Sequence, residues 1–178
     1  MLGRILSAVL TLAYPFVVFF GLKYWGLNAL IVLVLALSGL NCLFKPGRFS
    51  VLFFACASAL AATSFITGFS LPLKLYPVAV NATLLATFLF SLFSEQSAIE
   101  RIARIQDPDL APEGVRYTRK LTMIWCAFFV FNGCVALWTA VAADEVVWAI
   151  YNGFIAYLLI GFLLLGEWLY RRFVLKKH

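Results

Sequence analysis

The sequence predicts an all-α fold: a polytopic integral membrane helical bundle of six transmembrane helices, with both termini cytoplasmic. Three observations predict it. Hydrophobic residues make up 64% of the 178-residue chain and charged residues only 12%, against about 25% charged in soluble domains. The mean hydropathy is +0.98. The apolar residues also fall in long runs almost free of Asp, Glu, Lys and Arg, separated by short polar connections. Runs of this kind suit helices, because lipid offers no partner to open backbone N–H and C=O groups. They lack the alternation of a membrane barrel strand.

The spans fall at about 5–22, 27–44, 49–70, 75–94, 121–143 and 146–168, close to the roughly 17–20 residues that cross the hydrocarbon core. The first has the outline of a signal peptide. No small-x-small cleavage site follows it, however, and Lys23, Tyr24 and Trp25 make an interfacial anchor. It is expected to remain as a membrane helix kinked at Pro15. Lys45, Pro46, Gly47 and Arg48 then form a turn rich in helix breakers. The third span carries Ala55, Ala59 and Thr63 at four-residue spacing, with Ser58 and Ala62 beside them. That helix is expected to sit inside the bundle, since small residues permit close approach. Pro72 and Pro77 bracket the entry to span four, where a missing N–H does least harm.

Residues 95–120 break the pattern. Glu95, Glu100, Arg101, Arg104, Asp107, Asp109, Glu113, Arg116, Arg119 and Lys120 gather there, out of 14 Lys and Arg and 8 Asp and Glu in the whole chain. Ser97 and Glu100 have capping-box spacing. Ala98, Ile99, Ile102, Ala103 and Ile105 form one arc of a helical wheel, and Glu100, Arg101 and Arg104 the other. The pattern predicts a short amphipathic surface helix near 97–106, stopped by Asp107 and Pro108. A loop through Gly114 then leads to Arg116, Tyr117, Arg119 and Lys120, the basic collar of span five.

With six spans, Arg4, Lys45, Arg48, Arg101, Arg104, Arg116, Arg119, Lys120, Arg171, Arg172, Lys176 and Lys177 share one side; Lys23 and Lys74 take the other, with Asp144 and Glu145. The positive-inside rule makes the richer side cytoplasmic. The net charge of +6 is then membrane-flanking charge suited to anionic lipid, and no nucleic-acid partner is expected. Cys42, Cys56, Cys126 and Cys134 all fall within spans, so no disulfide framework is expected. The chain reads as a single domain, 1–178.

Chemistry is sparse. The only histidine is His178, and there is no HExxH, GxSxG or glycine-rich phosphate loop. No catalytic residue, metal or cofactor is expected. No ionisable group lies mid-span, which disfavours proton coupling; Glu167 is placed to pair with Arg171 near the end of span six. The asparagines within spans are Asn28 and Asn41 near span ends and Asn81, Asn132 and Asn152 deeper in. Burying an amide without a partner is costly, so these three are expected to bond to each other or to neighbouring backbone across helices, or to line a polar cavity.

Trp125, Phe128, Phe129, Phe131, Asn132 and Gly133, followed by Ala136, Ala140 and Trp148, resemble the C-terminal part of the bacterial intracellular septation protein A family, also called inner-membrane-spanning protein YciB. Lys74, Leu75, Tyr76 and Pro77 with Asn81 are similar to its lysine-aromatic-lysine-proline helix entry, with Tyr76 in place of the second lysine. Tyr14, Pro15 and the phenylalanines after them are like its N-terminal run. Glu100-Arg101, Asp107-Pro108-Asp109 and Arg116-Tyr117 are closer to a related group of membrane proteins that accompany aryl-polyene-type lipid pathways. The resemblance implies a non-enzymatic protein of the bacterial inner membrane, linked to envelope-building or division proteins.

The leading expectation is a non-catalytic protein supporting cell-envelope biogenesis or septation. It would hold partners through Glu100, Arg101, Arg104, Asp107, Asp109, Arg116 and Arg119, in a segment, 95–120, whose five acids and five bases suit specific pairing. Membrane lipids and a second copy of the chain are the other expected partners. The alternative is a carrier of a lipid or amphiphile through a cavity lined by Asn81, Asn132, Asn152 and aromatic side chains. A third reading, a lipid-modifying enzyme with Asp107, Asp109 and Arg116 as its polar site, lacks any recognisable nucleophile arrangement.

Overall fold

The structure is a computed structural model that describes residues 47–173 except 106, together with residues 20, 24, 31, 32, 35, 36, 39, 40, 42 and 43. Apart from those single positions, the expected spans 5–22 and 27–44 lie outside the described residues. Pro15, Lys23, Trp25, Asn28, Asn41, Lys45, Lys176 and Lys177 lie outside them as well.

Among the described residues there are helices and no strands. They are α1 (Arg48–Thr67), α2 (Leu71–Lys74), α3 (Tyr76–Ser91), α4 (Ala98–Ala103), α5 (Pro112–Ala142), α6 (Glu145–Ile150), a π-helical turn (Tyr151–Ile155) and α7 (Ala156–Phe173). Three helical stretches, Leu71–Ser91, Pro112–Ala142 and Glu145–Arg172, are long and apolar enough to cross a membrane. The chain divides into two compact units, 75–138 and the residues on either side of it.

What lies inside and outside agrees with a lipid environment. Ala57, Ala61, Ala136, Ala140, Ala149 and Ala156 are buried, and so are Ser64, Asn81, Thr122, Asn132, Thr139 and Asn152. Phe65, Ile66, Phe90, Phe131, Trp138, Val141, Phe162 and Leu164 are exposed. A water-soluble fold reverses this order. Helices in lipid gain nothing by hiding leucine from solvent, so small and hydrogen-bonding residues collect where they touch.

The ends of the helices follow local rules. Gly68 ends α1 with φ 72°, its N–H donating to Ser64 O at 2.9 Å; a side chain disfavours that left-handed conformation, so glycine belongs there. Pro77 opens α3 in the first turn. Asp144 caps α6 by accepting from Val147 N at 2.8 Å.

Two sequence expectations change. The loop through Gly114 is shorter than expected, because Pro112 already begins α5 and 112–120 are helical. Thirty-one residues at about 1.5 Å each reach about 46 Å, against about 30 Å of hydrocarbon. Polarity marks where a helix leaves lipid; it does not stop the helix. In α1 the buried stripe is Ala57, Ala61 and Ser64, whereas Ala55, Ala59, Ala62 and Thr63 are exposed. Small residues surround that helix on all sides, so their spacing alone could not choose the face.

Candidate functional site

The charged segment is built on the polar side chains beneath it. At the end of α3, Ser91 Oγ donates to Phe88 O at 2.6 Å and accepts from Ala98 N at 2.8 Å, which turns the chain into α4. Ser97 caps α4: its hydroxyl accepts from Glu100 N, and its own N–H donates to Glu100 Oε2, both at 3.4 Å. This is the capping box that the spacing predicts. Ile99 N donates to Thr122 Oγ1 at 3.4 Å, while that hydroxyl donates to Thr118 O at 2.8 Å. Arg119 Nη2 donates to Leu92 O at 2.6 Å. The segment is thus tied to the first turns of α5 at several points.

Glu100 departs most from expectation. The wheel puts it on an outward polar arc, yet it is 4% exposed, while Ile102 and Ile105 on the apolar arc are 57% and 81% exposed. Its carboxylate pairs with Arg104 Nε at 3.0 Å, and Arg104 Nη1 donates to Pro108 O at 2.8 Å. One arginine thereby holds the helix end and the following turn in a fixed shape. Asp107 N continues that turn by donating to Ala103 O at 3.0 Å.

The remaining candidate partner-binding residues separate by what they already hold. Arg101 Nε donates to Gln96 O at 3.2 Å, and Arg116 pairs with Glu113 at 3.0 Å on the exposed first turns of α5. The Asp107 and Asp109 side chains are exposed at the tip. The structure therefore brings Glu100 and Arg104 together, leaves Asp107 and Asp109 exposed, gives Arg101, Arg104 and Arg116 acceptors within the segment, and ties Arg119 back to Leu92 O.

The deeper asparagines are struts. Asn132 Nδ2 donates to Asn81 Oδ1 at 3.0 Å, and Asn81 Nδ2 donates to Pro77 O at 2.8 Å. Gly133 lies against this pair: a Cβ there would sit 3.3 Å from Asn81 Cβ, close enough to press on it. Trp125, Phe128 and Phe129 form an aromatic cluster on α5, and Phe88 meets Phe129 edge-on at 5.2 Å. Asn152, in the π-helical turn, donates to Thr139 Oγ1 at 3.2 Å and to Trp148 O at 2.9 Å. Trp148 is fully buried, with its indole N–H donating to Lys74 O at 3.1 Å, while Lys74 Nζ pairs with Glu145 at 3.2 Å.

No family model, curated protein or solved structure matches the chain. Lys74, Pro77, Trp125, Phe128, Phe129, Gly133 and Trp148 each have a packing or bonding role, while Phe131 is exposed. Sequence reasoning missed Ser91, Thr118 and Thr122. Their signal, a hydroxyl one turn from a span end, is too common in membrane helices to single them out. Among the described residues no three of His, Cys, Asp and Glu come together as a metal site would require.

Proposed function

We propose that the chain is a non-catalytic, six-span protein of the bacterial inner membrane that supports envelope biogenesis or septation by holding a partner at its cytoplasmic face. Both termini then face the cytoplasm, on the side where most Lys and Arg fall. The observation that carries the docking role is the pinned turn. Glu100 pairs with Arg104, and Arg104 also donates to Pro108 O, so the turn bearing Asp107 and Asp109 is held before any partner arrives. Preorganisation of this kind lowers the ordering cost of binding.

With Arg104 committed to Glu100 and to Pro108 O, the exposed ionic groups at the tip are Asp107 and Asp109, and the partner surface that fits them is basic. Carriage of a lipid through an asparagine-lined cavity has less support, because the amides of Asn81 and Asn132 bond to each other.

The test uses a deletion strain challenged with envelope stress. The wild-type chain should restore growth, while a D107K/D109K variant present in the membrane at the same level should not. Full restoration by that variant would remove the docking reading. A reporter fused after His178 that is active only outside the cytoplasm would remove the proposed topology.

A further inference from the structure

We infer that the corner between α3 and α4 is a rigid wedge that buries Phe93, Ile102 and Ile105 in the headgroup–acyl boundary of an anionic lipid leaflet. The inference concerns a different face from the acidic tip and stands or falls without it.

The orientation of α4 is the first argument. At about 100° per residue, Arg101, Ile105, Ala98 and Ile102 share one arc and Glu100 lies opposite. The structure turns Glu100 inward at 4% exposure and leaves Ile102 and Ile105 at 57% and 81%. A segment with Glu100 inside and with Ile102 of α4 and Ile105 of the following turn outside is poorly placed in water and well placed against lipid.

Continuity is the second. Leu89 and Phe90 are exposed near the end of the Leu71–Ser91 stretch, which is long and apolar enough to cross a membrane, and Phe93, at 84%, follows directly. The apolar surface of that stretch thus runs on into the corner. Charge is the third argument: Arg101 is on the same exposed arc and Lys120 is also exposed, which suits anionic headgroups.

Rigidity distinguishes this corner from a floating amphipathic helix. Ser91 Oγ holds Ala98 N at 2.8 Å, Thr122 Oγ1 holds Ile99 N at 3.4 Å, and Arg119 holds Leu92 O at 2.6 Å. The wedge cannot withdraw from lipid without breaking them.

The test places p-benzoyl-phenylalanine at Phe93, Ile102, Ile105 or Asp109 of the full chain, in vesicles of phosphatidylethanolamine and phosphatidylglycerol. After illumination, mass spectrometry should find lipid adducts at 93, 102 and 105 severalfold above those at 109. Lipid adducts at 102 and 105 no more abundant than at 109 would overturn the wedge, as would adducts at those positions that chiefly join two copies of the chain. Unchanged thermal unfolding of each labelled protein shows that the corner is being read in the folded state.

Discussion

Midway along the α3–α5 pair the tie between helices is neutral, Asn132 to Asn81; about 16–20 Å further along charged groups take over, with Arg119 donating to Leu92 O and the Glu100–Arg104 pair formed along α4. Both regions bury polar groups, and they differ in what those groups lose. A charged side chain at the centre of a bilayer costs about 2.5–3.5 kcal/mol even on insertion scales, so an amide pair is the affordable choice there. Near the water boundary Arg104 keeps 29% of its side-chain surface exposed and stays partly hydrated while it pairs. The Lys74–Glu145 ion pair beside Trp148, in the other unit, uses the same boundary chemistry. Depth selects the kind of polar group; geometry then selects its partner.

This contrast is open to measurement. Glu100→Ala should have the largest effect, lowering stability in detergent by about 3 kcal/mol, because it leaves the Arg104 guanidinium without its carboxylate and removes the acidic half of the capping box. The double variant E100A/R104A should cost less than the single one, since no unpaired charge remains. Equal losses would mean that Glu100 matters only as a cap. Gly133→Val comes next, at about 2 kcal/mol, because its side chain pushes on Asn81 where a Cβ alone is already at 3.3 Å. Asn132→Leu should be mildest, at about 1 kcal/mol, in the range of single interhelical hydrogen bonds in membranes. All three are read by thermal or denaturant unfolding in one detergent. An Asn132→Leu loss larger than that of Glu100→Ala would reverse the comparison.

Much of the fold was legible in the sequence. The capping box formed by Ser97 and Glu100 lies within one turn, and local spacing sufficed to predict it. The ion pair Glu167–Arg171, with Oε1 and Nε at 2.6 Å, also followed from its i,i+4 spacing. That Asn81, Asn132 and Asn152 would bond to something followed from the cost of burying an amide. That they would turn to each other or to backbone was also expected, but which pairs would form was not: Asn81 and Asn132 are 51 residues apart, and Lys74 and Trp148 are 74 apart. The candidate site was legible as a place and misjudged in its outward face. Glu100 was expected outside because a helical wheel ranks arcs by polarity and cannot show what lies beneath them.

The sequence by itself settled that this chain is helical and apolar enough for a membrane, and that its charge concentrates in one segment. Composition and short-range periodicity carry that information, and neither depends on distant partners. Tertiary structure alone decided that Glu100 points inward, that Ile102 and Ile105 point out, that Gly133 sits against Asn81, and that Trp148 reaches the Lys74 carbonyl. Those choices depend on which helices approach and how they are rotated about their axes. In a bundle whose helices carry small residues on several faces, rotation is set by packing and interhelical hydrogen bonds, which no single helix encodes on its own.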